Sequence, residues 1–417
     1  MKRARTPTPT SWYLRPVFGW PVLFAAFAGM FGNVGPLIYA SFAFIVQELE
    51  AEFGWARSDI TLAISLLTFS SAVAHPLFGG IVDRFGVRMP SVWSFLLMSA
   101  ALLSVPLFLS EIWHLWVSFA AIAILGVANN TLPFIKLAAT WYDKRRGLMI
   151  GIVASATGLG LAILPALTGR IVDTYGWEGG FVWYGLYIAL FTTPILFFFA
   201  QDHPNDIGYM ADGAPLERGD VDAAADHTGL TLGEAMRTQA FWVLAVGILV
   251  ASLALWGITN QLALLLGDRG MSRADAGSVA TVLGLSMASS RLVIGWLLDR
   301  LFAPLVACAI FLGAGVGFWL LATGGVSAVV YVSAALLGLG LGAEIELIGF
   351  MVSRYFGLRA FGTIYGSIFV GFLLGTSWGP FIYARAQETF GVYDPRLVCD
   401  DRSYDRSRLR FSVDGPL

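Results

Sequence analysis

The chain has 417 residues, of which 57% are apolar and only 13% charged, where a soluble domain carries roughly 25% charge. A net charge of -2 gives no basis for nucleic-acid binding, and the two cysteines, Cys308 and Cys399, are too few and too far apart for a disulfide framework or a metal site. The 47 glycines fit a membrane protein, because glycine is more frequent in membrane helices than in soluble ones.

The cluster Lys2, Arg3, Arg5 and Arg15 precedes an apolar stretch too long for the core of a signal peptide. It is read as a first membrane helix that is retained, with its start held inside. A helix needs about 20 apolar residues to cross the hydrocarbon layer. Eleven runs qualify, near 17–47, 58–82, 90–110, 112–139, 148–169, 180–200, 240–266, 276–298, 303–323, 327–350 and 361–385. Gly32-Asn33 with Gly35-Pro36 in span one, and Asn129-Asn130 with Pro133 in span four, are expected to break those helices and turn backbone groups toward a cavity.

One gap is long. Residues 201–238 form a polar stretch containing Asp202, Asp206, Glu217, Asp220, Asp222 and Asp226. It ends in Thr231-Leu232-Gly233-Glu234, a capping-box pattern that predicts a short surface helix leading into span seven. The expected division is a six-helix half over 1–200, a cytoplasmic linker over 201–238, a five-helix half over 239–386 and a polar tail over 387–417.

Charge sets the expected orientation. The four N-terminal cations, Arg84 and Arg88, Lys144 to Arg146, Arg218 and Arg237, Arg300, and Arg354 with Arg359 all fall on one side. Only Arg57, Arg170, Arg269 and Arg273 fall on the other. By the positive-inside bias the N-terminus is cytoplasmic, in a multi-pass protein of the cytoplasmic membrane.

The sequence repeats itself. Residues 147–165 read GLMIGIVASATGLGLAILP and residues 362–380 read GTIYGSIFVGFLLGTSWGP. Gly147, Gly151, Gly160 and Pro165 match Gly362, Gly366, Gly375 and Pro380 in one register, and Asp83-Arg84 recurs as Asp299-Arg300. Two pseudo-repeated halves of six spans are implied, and each shared glycine marks a place where helix backbones can meet closely. Chance matches between small residues in membrane helices are the alternative. The repeat maps span six onto 395–415, where five arginines lie beside Asp400, Asp401, Asp405 and Asp414. At about 2.5–3.5 kcal/mol per central charge such a segment does not insert. Eleven spans with a polar tail on the outer face are expected, and the abrupt change after Pro395 fits a reading-frame shift in the source gene.

Residues 79–88 read GGIVDRFGVR, and GWLLDR recurs at 295–300. The first resembles the signature loop G-x-x-x-D-R-x-G-x-R of the major facilitator superfamily. FGWARSDI at 53–60, WYDKRRGLMIG at 141–151, TYGWEGGF at 174–181 and RYFGLRAFGTIYG at 354–366 are similar to its bacterial monocarboxylate and oxalate/formate branch. The resemblance spans about residues 15 to 394. It implies an all-α major facilitator fold, with the twelfth helix apparently missing here. It also implies a substrate held near the midplane between halves that rock around it.

Gating residues follow from the signature loop. Asp83 is expected near the start of span eleven, at Ala360 to Thr363, where the helix dipole favours a carboxylate. Arg88 is expected to pair with Asp143, and Arg84, Asp299 and Arg300 complete the set. Plain topology, basic residues held inside, explains the same pattern without a gate.

Arg291 lies eight positions before Asp299 in span eight, about 12 Å inside the membrane edge. A guanidinium cannot lose its proton there, and burying it costs roughly 3 kcal/mol or more. It therefore needs an anionic partner: a protein carboxylate, a substrate carboxylate, or each in turn. In the branch it resembles, a span-eight arginine is the ligand of the substrate anion. Glu344 and Glu346 lie in span ten, and Glu346, eight residues before Arg354, matches Arg291 in depth. Positions two apart point about 200° apart on a helix, so the two carboxylates cannot share one cavity. One of them carries a proton, or one only neutralises Arg291 while the other meets headgroups or span-eleven backbone.

Lys136 snorkels to the interface or adds a second cation to the cavity. Asn33, Asn130 and Tyr365 are further candidates for substrate contact, and Trp256 and Trp378 for the pocket wall. Met287 stands where proton-coupled carriers of the branch have an aspartate, and spans one and eleven lack the lysines found in relatives.

The expected function is secondary transport of a small organic anion, a monocarboxylate first, coupled to protons by a monomer in the lipid bilayer. No cofactor, metal or nucleic acid is expected, and no nucleotide-binding loop or nucleophile constellation points to an enzyme. Multidrug efflux and a truncated, non-transporting product are the alternatives. Span five, GLGLAILPALTG at 158–169, does not match the G-x-x-x-G-P-x-x-G-G of efflux members.

Overall fold

The computed structural model describes residues 19–213, 229–323 and 328–390. The elements among the described residues are all helical, and Gly229 and Gly357 form an isolated antiparallel bridge. Among them, nine helical segments are long and apolar enough to cross a membrane.

Span one is α1 (Trp20–Phe31), a π turn (Gly35–Tyr39) and α2 (Phe42–Phe53). Spans two and three are α3 (Arg57–Phe85) and α4 (Arg88–Phe108). Span four is split into α5 (Ile112–Leu125) and α6 (Thr131–Trp141), each too short to count alone. Spans five and six lie in α7 (Arg146–Tyr187), two helices that join across a kink at Gly176, extended by a π turn and α8 (Thr193–Phe199). This segment runs 54 residues, about 80 Å of helix against a hydrocarbon core of about 30 Å. It changes direction at Gly176, whose φ of 71° suits glycine and few other residues. Eleven passages follow if α5 with α6 counts as one and the 54-residue segment as two.

The short helix expected before span seven is α9 (Leu232–Ala235). The Glu234 carboxylate accepts the Thr231 amide at 2.8 Å, and the Thr231 hydroxyl accepts the Glu234 amide at 3.3 Å. The Thr231 amide, and its hydroxyl donating to the same carboxylate at 2.9 Å, hold the Glu234 carboxyl below its usual range. Spans seven to eleven are α10 (Gln239–Asp268), α11 (Arg273–Leu298), α12 (Ala303–Thr323), α13 (Ala328–Met351) with a π turn (Val352–Phe356), and α14 (Phe361–Phe390). The N-terminal cations, linker residues 214–228 and the tail from 391 lie outside the described residues, as does the expectation of a frame shift near Pro395.

The repeat is visible as geometry. A side chain at Gly79 would strike the Gly362 carbonyl, and one at Gly295 the Gly147 carbonyl. A side chain at Gly366 would press on the His75 carbonyl, and one at Gly151 on the Arg291 carbonyl. The α3–α14 and α7–α11 crossings are therefore counterparts, and each joins one half to the other. A side chain at Gly158 would touch only Ala288, at 3.6 Å, and Gly277 and Gly284 have nothing within 4 Å.

In the first half α8 covers α1, with Phe24 edge-on to Phe199 at 6.0 Å. The corresponding face of the second half, including Val243 and Ile248 of α10 with Ala307 and Phe311 of α12, lines an apolar groove of about 340 Å³.

Candidate functional site

The two expected breaks meet. The Val34 amide, just past the end of α1, donates to the Asn129 carbonyl at 3.0 Å, so each break satisfies the other's backbone. Asn33 donates to Thr157 of α7 at 3.2 Å and accepts the Gly35 amide at 3.0 Å. Asn130 caps α6 through the Thr131 amide at 2.9 Å. The Thr131 hydroxyl then meets the Tyr365 hydroxyl of α14 at 3.0 Å, which ties span four to span eleven in the buried interior.

Arg291, Glu344 and Glu346 lie in the same interior, at 2%, 0% and 0% exposure. The Arg291 Nη1 is 3.5 Å from Glu346 Oε1 and donates to the Ala154 carbonyl of α7 at 3.1 Å. Neither Glu346 oxygen receives a side-chain or backbone hydrogen bond. The ion pair is thus long and rests on charge alone, where N⁺–H···O⁻ bonds usually close to about 2.7–2.9 Å. Glu344 turns away, accepting from Ser252 at 2.8 Å and from Trp256 Nε1 at 3.0 Å, both on α10. Its partners are span-seven side chains rather than headgroups or span-eleven backbone. Trp378 is exposed.

At one face three ties cross between the halves. Asp83 Oδ1 accepts the Gly362 amide at 2.7 Å, and Oδ2 accepts the Thr363 amide at 2.8 Å and its hydroxyl at 2.7 Å. Asp299 caps α7 in the same manner, at 2.7 Å from the Gly147 amide and 2.9 Å from the Leu148 amide. Both carboxylates sit at helix N-termini, where amide donors and the helix dipole favour negative charge. Burial pushes the Asp299 carboxyl above its ordinary range, against the two amides that draw it down. The third tie is Asp143 to Arg354, at 3.0 Å.

Two expectations need correction. Arg88 does not reach Asp143. Asp202, the second linker residue, accepts the Val87 and Arg88 amides at 2.5 and 2.8 Å and holds the start of α4 beside the end of α8. Arg88 there donates to the Phe197 carbonyl at 3.0 and 2.5 Å. Asp143 instead takes Arg354 and Arg146, each at 3.0 Å. Lys136 pairs with Asp83 at 2.7 Å, an anionic partner that neither of its two readings gave it. Arg84 and Arg300 make no cross-half tie and lie over Phe85 and Trp296, at 5.2 and 3.9 Å from the ring centroids.

Asp202 and Arg146 were missed as positioning residues. Asp202 had a signal, as the first acid after span six.

The model of the Major Facilitator Superfamily matches residues 20–380. The chain belongs to that superfamily. It is a multi-pass membrane protein of a superfamily of transporters. Its relatives include the uncharacterized MFS-type transporter YhjX of Escherichia coli K12, 26% identical over 336 residues, which are 79% of each chain. Human monocarboxylate transporter 11 is 27% identical over 305 residues, 72% of this chain and 61% of the relative. The E. coli fucose:proton symporter FucP superposes with a TM-score of 0.66 at 11% identity, over 89% of this chain and 93% of that one. This last likeness concerns the fold alone.

Proposed function

We propose that this superfamily member is a secondary transporter for a small organic anion, a monocarboxylate first, moved together with protons across the cytoplasmic membrane. The observation that carries the reading is the buried Arg291 guanidinium, held to Glu346 at 3.5 Å by a carboxylate that receives no hydrogen bond. A substrate carboxylate can take both prongs of the guanidinium fork in shorter, charge-assisted bonds. Glu346, displaced from its cation inside an apolar wall, then takes up the proton that travels with the anion. On release Glu346 returns to Arg291 and gives the proton up. Tyr365, Asn130 and Asn33 border the path, and Lys136 enters it when the Asp83 tie opens. The name of the human relative, monocarboxylate transporter 11, supports the substrate class.

In this reading the Asp83–Asp299 face and the N-terminus are cytoplasmic, with residues 1–200 and 239–386 as the halves and 201–238 as the inner linker. Asp83, Asp299 and Asp143–Arg354 are the inner gate, closed in this conformation, and the halves open toward the outside.

The test is uptake into proteoliposomes with a panel of labelled carboxylates and an imposed pH gradient. Accumulation of a monocarboxylate that collapses with the gradient is expected, with loss in Arg291→Ala. Uptake of the same anion by Arg291→Ala at the wild-type rate would overturn the reading.

A further inference from the structure

A second feature lies on the gated face, apart from Arg291. Where the halves meet, the ends of spans two, four, five and ten and the linker segment 203–211 enclose a cavity of about 490 Å³. Its wall carries Arg84, Lys136, Arg146 and Arg359 against a single carboxylate, Asp83. Lys136 and Arg146 are buried, while Arg84 and Arg359 are exposed at the rim, so the cavity communicates with solution.

The four cations are not equally engaged. Lys136 donates to Asp83 at 2.7 Å and to the Val82 carbonyl at 3.3 Å. Arg146 donates to the Tyr142 carbonyl at 3.1 Å and to Asp143, outside the wall, at 3.0 Å. Arg84 and Arg359 make no ion pair among the described residues. Among the described residues the lining thus carries more cations than carboxylates, with Asp143 beside Arg146 as an acid just outside it, and such a surplus of one sign in a cleft draws anions. Arginine forks match the oxygens of carboxylate and phosphate, while lysine adds a point charge.

The geometry points to a second anion-binding site in this cavity, for a small oxyanion held by Arg359 and Arg84 at the rim and Lys136 at the floor. The site goes beyond the transport reading and does not rest on it, because Arg291 lies about 12 Å deeper along α11 than the gate. Carboxylate and phosphate share the required chemistry. The occupant is either the transported carboxylate at the mouth of its path or inorganic phosphate from the adjoining solution.

The experiment is equilibrium binding of labelled inorganic phosphate to the full chain in neutral-lipid nanodiscs. Saturable binding is expected. Arg359→Gln and Arg84→Gln are each expected to weaken it about tenfold, the loss of one charge-assisted hydrogen bond. Both side chains are exposed, so these variants fold even if Lys136→Met does not. Arg291→Gln and Arg237→Gln, the latter an exposed cation outside the cavity, are expected to leave the affinity unchanged. Absence of saturable binding overturns the proposal. Loss in Arg291→Gln moves the anion to the interior and overturns it too, and equal loss in Arg237→Gln reduces it to general surface charge. Competition by unlabelled acetate identifies the carboxylate as occupant, and binding that resists acetate identifies phosphate. Either result supports the site.

Discussion

Arg291 and His75 hold equivalent places in the two halves, each with its carbonyl beneath a glycine of the partner half. One half put a permanent cation there. The other put an imidazole whose Nδ1 meets the Ser71 carbonyl at 2.6 Å and whose ring lies 5.0 Å from that of Phe369. At this pair of equivalent places the permanent cation thus comes from the second half alone. Arg291→Lys should insert normally yet lose at least about tenfold in kcat/KM, because an ammonium keeps the charge without the fork. Kinetics near wild type in this variant would mean that Arg291 only balances Glu346. The two carboxylates should separate as clearly. Glu346→Gln is expected to transport without following the pH gradient. Glu344→Gln is expected to keep coupling and lose about 1–3 kcal/mol of stability, because an amide oxygen replaces a carboxylate between two buried donors. If both variants still accumulate anion against a gradient, the coupling group lies elsewhere. Matched depth made Arg291 and Glu346 legible as a pair, since both count from a helix end. The Lys136–Asp83 pair was not legible, because it depends on how α6 and α3 are placed side by side, which no spacing within either helix records.

At the scale of helices, the repeat of glycines was readable before any contact was seen, and the contacts give it a reason. At Gly79 and Gly147 a backbone carbonyl of the other half occupies the place of a Cβ, whereas Gly80 has only the Thr363 hydroxyl, at 3.8 Å. Gly79→Ala should therefore cost about 1–3 kcal/mol by overpacking and lower the thermal midpoint of the purified protein, while Gly80→Ala leaves it nearly unchanged. Equal midpoints for the two variants would show that the α3–α14 crossing is looser than its geometry. Helix ends were legible where a side chain caps them locally, as at Thr231. They were not legible at Arg88, where the cap is Asp202 from 114 residues away. The short junction between spans five and six was hidden for a different reason. The 170–179 segment reads as a loop by polarity, yet only Gly176 leaves helical geometry.

At the scale of the whole molecule, three ties hold one half to the other at one face. Asp83 and Asp299 each bond the first amides of a helix in the opposite half, so both helix dipoles pull the halves together at that face. Toward the other end, a side chain at Gly158 of α7 would meet only that of Ala288, at 3.6 Å. In the proposed transport cycle the halves rock as bodies about the middle, and removing the two carboxylates should tilt them the other way. Spin labels at Lys144 and Leu301 report the tied face, and labels at Tyr175 and Gly277 report the open one. In the Asp83→Asn, Asp299→Asn double variant the first distance is expected to lengthen and the second to shorten, with both changes appearing together. Asparagine keeps an acceptor for the amides but gives up the charge, so the effect isolates the electrostatic part of the ties. If the tied face opens while the Tyr175–Gly277 distance stays fixed, the halves do not rock as bodies. The ties would then be local latches on α7 and α14, and the central ion pair would have to be reached by bending those helices.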